Sequence, residues 1–153
     1  MRLYVLRSTQ RLAVSIDEAW DFFSDPANLQ EITPPSLDFR IESEIPPRVH
    51  AGLVIVYRVT AIPWIPTRWV TEITHVDEPA MFVDEQRFGP YRFWHHQHHF
   101  AEVPGGIEAH DIVHYAPPRP LAPALERFLV GPRLRSIFAH RRAVLANRFG
   151  EIS

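Results

Sequence analysis

Gly89-Pro90-Tyr91-Arg92-Phe93-Trp94-His95-His96-Gln97-His98-His99-Phe100 is the stretch on which the reading of the fold turns. It holds four of the chain's nine histidines. Gly-Pro opens it as a turn, and the aromatic run that follows predicts a long β-strand. Side chains alternate between the two faces of a strand. Arg92, Trp94, His96, His98 and Phe100 therefore share one face, and Tyr91, Phe93, His95, Gln97 and His99 the other. The first face carries two large apolar rings and a His-x-His pair, so it is assigned to the interior. The second is the wetter face.

Composition narrows the chemistry. At 153 residues, 46% hydrophobic and 22% charged, the chain has the profile of one soluble globular domain with a hydrophobic core. A net charge of −2 gives no electrostatic case for nucleic acid or an anionic membrane. No apolar run is long enough to span a bilayer, and Met1-Arg2-Leu3-Tyr4 does not open a signal peptide, so a cytoplasmic location is expected. There is no cysteine, which removes thiolate nucleophiles, disulfides and zinc-thiolate sites. All 16 basic residues are arginine, so there is no Schiff-base or Walker lysine. The six glycines form neither a G-x-G-x-x-G nor a nucleophile elbow. No cofactor is expected.

From the N-terminus, residues 3–14 predict a strand. Ser15-Ile16-Asp17-Glu18 has capping-box spacing and starts a short helix. A second short helix is expected over 26–32, stopped by Pro34-Pro35. Strands are predicted over 37–45, 53–59, 67–76 and 81–88. Between the second and third of these, Ile62-Pro63-Trp64-Ile65-Pro66 reads as an apolar loop or hairpin tip, either a lid or a contact for a partner. Arg68 and Glu72 are expected to face each other. After the histidine strand, a turn around Pro104-Gly105-Gly106 brings residues 107–115 back alongside it. Residues 116–120 form a proline spacer. Residues 121–149 make one long helix with Leu125, Phe128, Leu129, Leu134, Ile137, Phe138, Leu145 and Phe149 on its apolar stripe. Gly131-Pro132 must kink or split it. The sum is an α+β fold: a curved antiparallel sheet of about seven strands gripping the C-terminal helix, with two short helices after the first strand and room for an internal cavity.

This helix-grip order resembles the START / birch-pollen-allergen superfamily, also called SRPBCC or polyketide cyclase/dehydrase-like proteins. The residues 14–29 look like its opening. More specific are Phe82-Val83-Asp84-Glu85-Gln86, Gly89-Pro90-Tyr91, Trp94-x-His96-x-His98-x-Phe100, Asp111-x-Val113-x-Tyr115 and Ile137-Phe138-Ala139-His140-Arg141. They are similar to a small bacterial subgroup, some of whose members are fused or adjacent to epimerase-like proteins. One departure is Phe138-Ala139-His140-Arg141, where the subgroup has Phe-x-Tyr-Arg. The resemblance implies one ligand-binding domain over residues 1–153 and a small hydrophobic molecule as partner, with an epimerase-like protein as a further one.

The register of the hairpin decides what meets in the interior. A turn at Gly105-Gly106 sets Phe100 opposite Asp111, whereas a turn at Pro104-Gly105 sets His98 opposite Asp111. Both place Asp111 and Tyr115 on the His96/His98 face, whereas a three-residue turn would flip Asp111 outward. The plainest reading of His96, His98, Asp111 and Tyr115 is a closed hydrogen-bonded network that fixes register. Three functional readings stand beside it. In the first, the set is the polar end of a cavity lined by Trp94, His96, His98, Phe100, Asp111, Val113 and Tyr115, with Trp69 and Phe138 added, that carries a lipid-like or aromatic molecule without catalysis. In the second, His98, Asp111 and Tyr115 are the acid/base set of a cyclase or dehydratase. In the third, His96, His98 and Asp111 bind a metal. A partner module docking through the Trp64 loop is the remaining alternative. The carrier reading is preferred.

Overall fold

The computed structural model of the chain describes residues 1–119 and 122–153, and of Ala122 only the backbone. Seven antiparallel strands form one sheet in the order β1-β7-β6-β5-β4-β3-β2. They are β1 (Tyr4–Leu12), β2 (Arg40–Ile41), β3 (Val54–Ile62), β4 (Ile65–Asp77), β5 (Met81–Phe88), β6 (Phe93–Val103) and β7 (Gly106–Ala116). Helix α1 (Ile16–Phe23) follows β1, α2 (Ala122–Leu125) follows β7, and α3 (Gly131–Phe149) ends the chain. Two short 3₁₀ turns, Pro26–Gln30 and Pro35–Leu37, lie between α1 and β2. No helix among the described residues is long and apolar enough to cross a membrane.

Local chemistry explains most boundaries. Ser15 caps α1, its Oγ accepting the Glu18 N–H at 3.2 Å, and Asp25 caps the first 3₁₀ turn in the same way through Ala27. The expected second helix is therefore a 3₁₀ turn. The strand expected over 37–45 shrinks to Arg40–Ile41, because prolines crowd both sides and the N–H groups of Glu42 and Ser43 share the Val56 carbonyl. The tip at Pro63-Trp64 is tighter than expected. Strand pairing runs through Ile62 and resumes at Ile65, with the register shift that accommodates Pro66 and with Trp64 at φ 63°. Arg68 and Glu72 do not pair: Arg68 bonds Glu42 at 3.1 Å, and Glu72 takes Arg87.

The β6–β7 turn is Pro104-Gly105, with Gly105 at φ 88° and Val103 opposite Gly106. That is the register that sets His98 opposite Asp111. Gly106 permits the close pass of β1, since a Cβ there would lie 1.9 Å from the Leu12 carbonyl oxygen.

The end of the predicted spacer and the first residue of the predicted helix, at 120 and 121, lie outside the described residues. The helical segment does not break at Gly131-Pro132. A π-helical turn over Glu126–Val130 joins α2 to α3, and Pro132 falls in the first turn of α3, where its missing N–H costs no hydrogen bond. One extra residue in that turn rotates everything before it by roughly 100° relative to α3. The buried stripe is therefore Val130, Leu134, Arg141 and Leu145, flanked by the half-buried Ile137 and Phe138. Phe128, assigned to the stripe from its spacing, is instead 73% exposed. This phase has a direct test. Leu134→Ala should cost about 2–5 kcal/mol of folding free energy by chemical denaturation, and Phe128→Ala less than about 0.5 kcal/mol. Similar losses at both positions would contradict the rotation.

Candidate functional site

A cavity of about 190 Å³ lies between the sheet and α3. Aromatic rings make much of its wall, Phe22, Phe23, Phe39, Tyr57, Trp69 and Trp94 among them. Leu134, Ile137 and Phe138 of α3 close one side. Curvature of the sheet around a helix leaves this space, and ring stacking holds its edges. Trp69 lies 5.8 Å from Tyr57 and 5.2 Å, edge on, from Trp94.

One wall is charged. The β5–β6 pairing sets Asp84 opposite His96 and Phe82 opposite His98, and the β6–β7 pairing sets His98 opposite Asp111. Alternation turns all of them inward. The His96 and His98 rings stack with centroids 3.7 Å apart, and Phe82 stacks on His98 at 4.1 Å. His96 Nε2 donates to Asp111 Oδ1 at 2.8 Å, and His98 Nε2 meets Asp84 Oδ2 at 2.6 Å. Trp94 Nε1 donates to Asp84 Oδ1 at 3.3 Å. Behind them, Arg141 of α3 brings its guanidinium to 3.3 Å from Asp111 Oδ1, over the rings of Phe23 and Phe138.

Opposing effects set the charges. Burial pushes both carboxyls up, but Arg141 and the two imidazoles hold Asp111 well below the usual carboxylate range. The bond from His98, the charges of His96 and His98, and Trp94 lower Asp84. Burial and the neighbouring His98 depress His96. His98 is depressed by burial too, but Asp111 and Asp84 outweigh it and leave its pKa raised. Burial and the carboxylate of Glu126 raise Tyr115.

Of the residues named from sequence, Trp69, Trp94, His96, His98 and Phe138 line the cavity. Asp111 stands behind the histidines, away from the cavity surface. Phe100 packs into the apolar core with Trp20 and Phe23, and Val113 is fully buried beside Val130 and Leu134. Tyr115 does not join the network: its hydroxyl donates to Glu126 Oε1 at 2.7 Å, on the π-helical turn. It therefore drops out of the acid/base set, and Asp84 takes the position on the cavity side assigned to Asp111. Asp84 and Arg141 lie in motifs quoted from the sequence but were given no role at the site. Strand alternation with Phe82 marks the first. The second falls seven residues after Leu134 and four before Leu145, on the apolar stripe.

Asp84 and Asp111, with folded pKa values below their unfolded ones, contribute stability that is fully present above about pH 4 and is lost as pH falls through the folded values. Arg141→Met removes the cation that lowers Asp111. It should cost about 3–5 kcal/mol near neutrality and move the acid-unfolding midpoint to higher pH. An unchanged acid limb would contradict this charge assignment.

No family model matches the chain, and no curated protein does. Solved structures share its architecture from end to end. The Zhui aromatase/cyclase from a Streptomyces species superposes with a TM-score of 0.73 at 14% identity, covering 96% of this chain and 93% of that one. A START superfamily protein from Mycobacterium smegmatis gives 0.70 at 11% identity, covering 94% and 98%. Protein Ms6760 from the same organism gives 0.64 at 22% identity, covering 97% and 98%. The chain has the START/SRPBCC helix-grip fold.

Proposed function

We propose that the chain binds a small hydrophobic molecule, aromatic or lipid-like, in the cavity between sheet and α3, with the Asp84/His98 wall as its polar anchor. The observation that carries this reading is the cavity itself: about 190 Å³, walled by aromatic rings, with a buried charged set along one side. An apolar cavity of about 150 Å³ takes up benzene. This one therefore suits a single substituted ring or a short acyl segment. A carboxylate and an imidazole at the wall favour a ligand with a hydroxyl or another polar hydrogen at one end, because an apolar end would leave them unpaired.

A second reading has one observation in its favour. His98 reaches the cavity and holds Asp84 at 2.6 Å, which is the pairing a general acid/base needs. The aromatase/cyclase among the structural neighbours is consistent with it. In that reading His98 and Asp84 move the proton, and Tyr115 has no part. The docking reading keeps its exposed tip, with Trp64 94% exposed, but it called for a filled interior.

Calorimetric titration with p-cresol, a single-ring probe with one hydroxyl, separates the cavity readings from the surface tip. The protein should bind one probe per chain, and Ile137→Trp, which fills the cavity, should weaken binding at least about tenfold with folding intact. Trp64→Ala should leave binding unchanged. Loss of probe binding in Trp64→Ala but not in Ile137→Trp would move the site to the surface tip and defeat the proposal.

A further inference from the structure

Each imidazole of the stacked pair stands between the same two carboxylates. His96 presents Nε2 to Asp111 Oδ1 at 2.8 Å and Nδ1 to Asp84 Oδ2 at 3.5 Å. His98 presents Nδ1 to Asp111 Oδ1 at 3.4 Å and Nε2 to Asp84 Oδ2 at 2.6 Å. A neutral imidazole has one N–H and one lone pair. His96 spends its N–H on Asp111, so the lone pair of its Nδ1 faces the Asp84 carboxylate with no proton between them. His98 Nε2 reaches the same carboxylate oxygen through one proton at 2.6 Å. A divalent cation taking the place of that single proton at this corner would answer all three groups at once. The corner is on the cavity side, since Asp84, His96 and His98 line the cavity.

We infer that this corner is a site for one divalent first-row transition metal, ligated by Asp84, His96 and His98. Candidate ligand atoms of the three lie within 4.8 Å of one another. Bond lengths of about 2.0–2.2 Å are reached by side-chain adjustments that draw the stacked rings into a splayed pair. Two imidazoles and one carboxylate suit zinc, iron or cobalt, whereas calcium and magnesium favour oxygen donors. Asp111 becomes the outer carboxylate that orients His96 through Nε2, and Arg141 fixes Asp111 in turn. His98 Nδ1, buried without a hydrogen-bond partner, acquires a role as the N–H turned to the same oxygen. The third ligand is therefore Asp84, not the Asp111 expected from sequence. Three protein ligands leave a position open toward the cavity for water or for an oxygen of a bound molecule. The site does not depend on the cavity holding an organic ligand.

Chelator-stripped protein titrated with divalent cobalt, followed by visible absorption, tests the site. One cobalt per chain is expected, with micromolar or tighter affinity. Asp84→Asn and His98→Gln should each weaken it by at least about a hundredfold, and Asp111→Asn by about 10–100-fold. The outer-face double variant His95→Gln/His99→Gln should bind as the parent does. Because the inner variants risk misfolding, X-ray absorption of the zinc-loaded parent gives a second readout, expected to show two imidazoles and an oxygen donor. Absence of binding, binding lost only in the outer-face variant, or a first shell with fewer than two imidazoles would each overturn the site.

Discussion

Two carboxylates lie in one wall of this protein, Asp111 buried with Arg141 as the fixed cation beside it and Asp84 largely buried at the cavity surface. Bare, each would be severely penalised by desolvation. Their neighbours offset that penalty in two ways. Asp111 takes the guanidinium and an N–H of His96, and Asp84 takes His98 and the indole of Trp94. These partners come from β6 and α3, and the carboxylates from β5 and β7. The set can be satisfied only when three strands are in register and the helix is docked in the right rotation. Register, docking and site are one constraint.

The helix rotation shows how closely these are tied. Without the π-helical turn, Leu125 would fall on the opposite side of the helix from Leu134, nine residues on; the extra residue brings it in to pack with Val130 and Leu134 and leaves Phe128 outside. With it, the sheet receives Val130, Leu134 and Leu145, and Arg141 lands on Asp111. The same rotation sets Ile137 and Phe138 against the cavity. Aromatic rings around the charged wall exclude water, which strengthens each interaction inside it and raises the cost of leaving any group unpaired. A ligand entering here meets an apolar surface with one demanding polar side.

Much of this was legible from residues alone. Period-two alternation placed His96 and His98 on one face, and either two-residue turn within Pro104-Gly105-Gly106 added Asp111 to it, while a three-residue turn would not have; the pairing of Val103 with Gly106 decides for Pro104-Gly105. Asp84 escaped because β5 and β6 are joined by a longer loop, so no tight turn transmits register across it. Arg141 escaped because an arginine on a terminal helix reads as solvated, and only its place on the apolar stripe says otherwise. Tyr115 lay on the predicted face, yet its hydroxyl reaches Glu126 on a π-helical turn that periodicity at 3.6 residues does not anticipate. Phe100 illustrates the limit of face assignment: facing inward is not the same as facing the cavity. The five-residue step from Leu129 to Leu134 was the visible trace of the π turn.

A native mass spectrum of the purified protein, set against the denatured one, tests whether the space beside the charged wall is occupied. The expected result is an added mass that disappears on denaturation: an organic molecule, a divalent metal, or both. A native spectrum at the mass of the bare chain would contradict it and leave the buried carboxylates as a purely structural network.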